Sequence, residues 1–82
     1  MQKHTRIYMR YFGYGEQDFK PCEFGCGRCV DVHHIDGRGE GKDVIENLLG
    51  CCREKHNDCE MHRITKDEQK KVHFEFMKRK SN

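Results

Sequence analysis

The sequence predicts a small α+β domain stapled by a metal ion. Three observations carry that expectation. First, the chain has only 82 residues; 34% are hydrophobic and 37% charged. A domain this small buries only about 60–65% of its unfolded surface and is marginal without a staple. Second, six of the hydrophobic residues are cysteines, and they bracket a histidine-rich segment. With no secretory segment visible, thiols of this spacing read as metal ligands more readily than as a disulfide framework. Third, strand-like patterns occupy the first part of the chain and helix signals the last.

The elements follow in order. Residues 5–12 alternate, with Thr5, Ile7, Met9 and Tyr11 on one side and Arg6, Tyr8, Arg10 and Phe12 on the other. That period predicts an N-terminal strand. Gly13 to Lys20 reads as a loop. Cys22, Cys26 and Cys29 then form a short-spaced run, whose glycines suit a tight metal-binding knuckle. Val30 to Ile35 is a second strand candidate and contains His33 and His34. Residues 36–43 form a polar glycine loop, and Val44 to Cys52 a third short apolar segment. Arg53 to His62 contains no breaker and is predicted helical. Thr65 and Glu68 match a capping box, which opens a C-terminal helix over about residues 66–79. No internal repeat or low-complexity tract divides the chain, so residues 1–82 are expected to form one domain.

Charge and hydropathy narrow the function classes. The formal charge is +2, too small to announce a nucleic-acid binder by itself. The positive residues do gather at the ends, as Lys3, Arg6 and Arg10 and as Lys78, Arg79 and Lys80. No apolar run approaches the roughly 18 residues of a membrane span. A cytoplasmic protein with no membrane partner is expected.

The most informative residues are His33 and His34, then Asn47 thirteen positions after His34, then His56 nine positions after Asn47. Leu48 and Leu49 follow the asparagine, and Cys52 stands four residues before His56. Together with Val30-Asp31-Val32-His33-His34-Ile35-Asp36, the glycine loop and Ile45-Glu46-Asn47-Leu48, this order resembles the HNH nuclease family, in particular its small stand-alone members often encoded by phages. The similarity spans about Cys22 to Glu60. It implies a treble-clef-like ββα-metal core over about residues 22–62, between the N-terminal strand and the C-terminal helix.

The resemblance also implies roles. His33 and His56 would ligate a catalytic cation, His34 would be the general base, and Asn47 would hold the loop that aims it. Glu60 lies one helical turn beyond His56, where some relatives carry a further ligand. Magnesium or manganese would be the cation, although histidine ligands also admit nickel or zinc. The substrate would be DNA, nicked or cut on both strands. The residue types fit that chemistry independently of the family. Histidine accepts a proton near neutral pH, and phosphodiester hydrolysis needs an activated water and a cation. Arg38, in the glycine loop, is a candidate for gripping the scissile phosphate through two parallel hydrogen bonds. Asp31 and Asp36 flank the histidine pair and are candidates for orienting it.

Many relatives add a structural zinc held by two cysteine pairs. Here Lys55 stands where the last thiolate of the second pair would be. Cys22, Cys26, Cys52 and Cys59 are taken as the zinc set, with Cys29 as the alternative to Cys59. Seven residues of continuous helix separate two side chains by roughly 10 Å, so Cys52 must precede the helix if Cys59 is to join it. The competing function class is an HNH-fold binding module that does not cut, such as a phage factor acting on a host protein or a DNA complex. A monomer or weak homodimer is expected in either case.

Overall fold

The chain opens with a helix, not a strand. In the computed structural model, which describes residues 2–80, α1 spans Lys3–Phe12. Its buried residues are His4, Tyr8 and Met9, an i, i+4, i+5 face rather than the alternating one expected. Gly13 decides the outcome. It takes a left-handed φ of 71°, its N–H bonds Arg10 O, and Tyr14 N–H bonds Met9 O at 2.8 Å. A glycine at that position is the usual closure of a helix.

That pair is β1, Asp31–His34, and β2, Leu48–Cys51, antiparallel with His33 opposite Leu49 and His34 opposite Leu48. A one-turn 3-10 helix, Ile45–Asn47, feeds β2. α2 follows as Arg53–Glu60 and α3 as Lys66–Lys80. The α+β class, the two short strands around the histidine pair and the two later helices agree with the sequence reading. The helix predicted to His62 stops at Glu60 without a glycine. His62 itself adopts φ 60°, and Arg63 N–H closes the end on Asp58 O at 2.8 Å. At the start of α3 the capping box forms: Glu68 N–H donates to the Thr65 hydroxyl at 3.2 Å.

The apolar core is small. Ile35, Leu49 and Cys59 are packed together, with Phe24, Ile64 and Val72 around them. A second cluster joins α1 to α3, with Phe12 edge-on to Phe76 at 5.3 Å and Tyr8 beside Phe12 at 4.8 Å. α3 turns Gln69, His73 and Phe76 inward and leaves Phe74 exposed.

Between these clusters lies a buried polar node. The Glu23 carboxyl is fully enclosed. It receives the Tyr8 hydroxyl, the Gly50 N–H at 2.8 Å and His73 Nδ1 at 2.8 Å. His73 Nε2 lies 2.6 Å from Ile45 O, and a carbonyl only accepts, so this nitrogen carries a proton. Gly50 is required here because a Cβ would stand 2.3 Å from the Tyr8 hydroxyl oxygen. One carboxyl thereby fastens the cysteine knuckle, α1, β2 and α3.

The node makes stability depend on pH. Burial pushes the His73 imidazole down, but the Glu23 carboxyl and the Ile45 carbonyl outweigh it and raise its pKa above the usual 6.5. Its contribution is therefore complete below about pH 6.5 and is lost as pH rises through the raised value. Urea unfolding across this range should show that decline in the native chain and its absence in His73→Gln. His73→Ala, which strips one partner from a buried pair, should cost about 3–5 kcal/mol at neutral pH.

Candidate functional site

β1, β2 and α2 bring His33, His56 and Glu60 together. Adjacent residues of a strand point to opposite faces, so His33 faces α2 while His34 faces away from it toward α1. α2 begins directly after β2 with Cys52 as its N-cap, which stands His56 over His33. Their ring centroids are 5.1 Å apart. Glu60 Oε1 lies 3.1 Å from His56 Nε2, and one donor atom from each of the three residues falls within 4.8 Å of the others. Two imidazoles and a carboxylate fit a divalent cation of the magnesium-to-zinc series.

Each imidazole is held by a partner that fixes its proton. Gln69 is buried, and its amide nitrogen donates to Ile64 O at 2.8 Å. Its oxygen therefore faces His33 Nε2 at 3.0 Å. That nitrogen must carry the proton, which leaves Nδ1 as the free lone pair. His56 Nδ1 lies 3.1 Å from Asp31 Oδ2, which turns Nε2 toward Glu60 as the nitrogen that would meet a cation. Asp31 is in turn gripped by Arg53, Nε to Oδ2 at 2.7 Å and Nη2 to Oδ1 at 3.2 Å. Burial raises the Asp31 carboxyl, but Arg53 and His56 more than reverse this and hold it below the usual carboxylate range. Burial first, and the neighbouring His56 second, push the His33 imidazole down, so both effects favour the neutral, ligating form.

His34 ends β1. Its Nε2 lies 2.8 Å from Asp43 Oδ1, and the hydrogen bond pulls the Asp43 carboxyl down. Asn47 clasps the intervening loop at both ends. Its Oδ1 accepts Asp36 N–H at 2.7 Å, and its Nδ2 donates to Gly37 O at 3.2 Å and Lys42 O at 3.0 Å. The asparagine thus holds the loop that delivers Asp43 to His34. A cleft of about 240 Å³ is lined by His33, His34, Gly37, Arg38, His56 and Glu60. A water occupies roughly 30 Å³, so the cleft has room for several waters or one small polyatomic anion. Arg38 is exposed at its rim. Lys66 lines the adjoining cleft, which also contains His33, His34 and Glu60.

Three thiols gather at the start of α2. Cys22, Cys26 and Cys52 offer sulfurs within 4.8 Å of one another, with Cys22 Sγ and Cys26 Sγ 3.4 Å apart. The knuckle is shaped by Cys22 N–H on Gly27 O at 2.8 Å and Gly25 N–H on Cys22 O at 2.9 Å. The Cys26 thiol, bonded to Cys52, is pushed up to about 12. The same bond, with the Lys55 and Glu54 N–H groups, draws the Cys52 thiol down. Such a thiol cluster suits zinc. Cys52 does precede the helix, but Cys59, expected as the fourth thiolate, stands in the last turn of α2 and packs on Ile35 and Leu49. Cys29, the alternative, turns its Sγ to Asp31 O at 3.4 Å. Burial raises both Cys29 and Cys59 to about 11. Among the described residues the set therefore has three members, and a tetrahedral ion there takes its fourth ligand from solvent or another molecule.

Asp31, Gln69, Asp43 and His4 are the residues whose place the sequence did not disclose. Asp31 was marked as a partner for the histidine pair and instead serves His56; Asp36 pairs with Lys70 at 3.4 Å. His4, its pKa lowered by burial and then by His34, lies edge-on to His34 at 4.6 Å. No local pattern marks Gln69 or His4, because each reaches the site from a helix whose docking is a tertiary event. No family model matches the chain, and no curated protein or solved structure matches it. No helix among the described residues is long and apolar enough to cross a membrane.

Two measurements follow. Complete zinc removal by a chelator, verified by metal analysis, should unfold the chain, because structural zinc contributes about 10–16 kcal/mol in small domains; an unchanged circular dichroism spectrum would refute this. Asp31→Asn should lower cation affinity at His33, His56 and Glu60 by roughly 10–100-fold in a manganese titration, with the fold retained.

Proposed function

We propose that the protein is a metal-dependent DNA endonuclease of the HNH type, acting as a nickase or double-strand cutter. The observation that carries this reading is the meeting of His33, His56 and Glu60 at one point of a phosphate-sized cleft that His34 also lines. A treble-clef-like ββα-metal core stapled by zinc is the corresponding fold, and β1, β2 and α2 with the adjoining thiol cluster are its support. Magnesium or manganese at His33, His56 and Glu60 would supply Lewis-acid stabilisation of the charge that develops on the departing oxygen.

The chain's own residues then divide the work. The Asp43 hydrogen bond keeps the His34 proton on Nε2 and leaves Nδ1 as the base. His34 takes a proton from a water, whose oxygen attacks phosphorus in line. The bond from phosphorus to the 3′ oxygen breaks, and that oxygen takes a proton from solvent, giving 5′ phosphate and 3′ hydroxyl ends. Arg38 grips the non-bridging oxygens, and its exposed position lets it reach a phosphate without displacing the fold. Lys66 and the basic ends of α1 and α3 attract the DNA backbone, so binding weakens with salt. DNA is the partner in this reading, and a phage origin would put the protein in the host cytoplasm.

Supercoiled plasmid incubated with the purified protein and magnesium or manganese should be converted to open-circular or linear form. His34→Ala should reduce the rate by roughly 10²–10⁴-fold, the range of a lost general base, with the zinc-bound fold unchanged. Undiminished cutting by His34→Ala would remove that residue from the role. Absence of cutting by the native chain under any divalent cation would favour the non-cutting binding module.

A further inference from the structure

Three features are not used by the proposed catalytic arrangement: the open fourth position at the thiols, the groove beside α1, and the approach of His4 to the pair His34 and Asp43. The last carries an inference. We propose that His4, His34 and Asp43 form a second cation site, able to take a borderline divalent ion such as zinc, whose occupation silences His34.

Each residue comes from a different part of the chain: α1, the end of β1, and the glycine loop. The packing of α1 against the sheet sets His4 beside His34, with ring centroids 4.6 Å apart. The loop clasped by Asn47 brings Asp43 Oδ1 to 2.8 Å from His34 Nε2. One donor atom of each residue lies within 4.8 Å of the other two. Both histidines are buried, so their rings are held in place before any ion arrives. Two imidazoles and one carboxylate form a donor set of the kind zinc accepts with an open position. Lys3 and Arg38 stand close enough to act on this cluster. Their charge weakens the site, which therefore fills at higher zinc concentration than the thiols.

The consequence for His34 follows from its single exchangeable proton, and it rests on the nuclease reading. In the absence of an ion the proton sits on Nε2 and points to Asp43. An ion bound at Nε2 displaces it, and the neutral ring keeps it on Nδ1. The lone pair that would accept the proton of water is then gone. Zinc at this site replaces the hydrogen bond between His34 and Asp43 and shifts one proton across one ring.

The test uses the full-length, zinc-loaded protein labelled with 15N-histidine. On further addition of zinc chloride, the ring nitrogens of His4 and His34 should shift together, with one equivalent beyond any that moves His33 and His56. His4→Ala should weaken that equivalent by at least about tenfold, with an unchanged circular dichroism spectrum. Asp43→Asn should weaken it similarly and serves as the control should His4→Ala be poorly folded. His4 nitrogens that stay unmoved at saturation, or unchanged stoichiometry in both variants, would overturn the site. In a magnesium-supported plasmid assay, excess zinc should inhibit the native chain, and His4→Ala should need at least about tenfold more zinc. Equal inhibition of both would overturn the silencing. A native chain that never cuts would end the nuclease reading alone, because the imidazole shifts still decide the site.

Discussion

The enclosed carboxyl of Glu23 is the constraint around which the rest is arranged. Removing a carboxyl from water costs several kcal/mol. That cost is offset only because three donors from three directions converge on it: Tyr8 of α1, Gly50 of β2 and His73 of α3. The convergence defines where α1 and α3 sit relative to the hairpin. It also anchors the knuckle, since Glu23 directly follows Cys22 and its own N–H bonds Gly50 O at 3.0 Å. In a chain whose apolar cluster is this small, burial is non-directional and leaves the docking of helices loosely specified. Hydrogen-bond geometry at one buried carboxyl specifies it.

From that frame the site is assembled by short polar links. Gln69 comes from α3 and fixes the tautomer of His33. Asp31 precedes the histidines on β1 and, held by Arg53, fixes that of His56. Asn47 ties down a glycine-rich loop whose own sequence would otherwise leave Asp43 free to wander. These are backbone-to-amide and carboxyl-to-ring contacts of ordinary length, and each holds a ring or loop rather than touching a substrate. The arrangement accounts for a site built on strands of only four residues: the strands set direction, and the polar partners set angle and proton position.

The cysteines divide along the same lines. Cys22, Cys26 and Cys52 lie on the knuckle and at the start of α2, where the backbone brings their sulfurs together. Cys29, Cys51 and Cys59 sit on packed segments and behave as small apolar side chains with pKa values raised by burial. A high pKa and no access make those three poor nucleophiles, which argues against a redox role for them. What separates the two groups is backbone context.

Read alone, the sequence determined the α+β class, the two short strands, the helices at Arg53 and Thr65, and the identity of the histidines and the asparagine. Those features are local: β-formers in short apolar runs, a capping box, a residue order along one segment. Tertiary structure decided the remainder. Residues 5–12 carry both a two-residue and a helical pattern, and the choice fell to the helix, which Gly13 closes and which turns His4, Tyr8 and Met9 inward. Cys59 was assigned by its distance along the chain, but the core at Ile35 and Leu49 claimed it. Glu23, Gln69 and His4 have no local signature at all. Each matters through a partner at least 27 residues away, and such pairings exist only once the helices have docked.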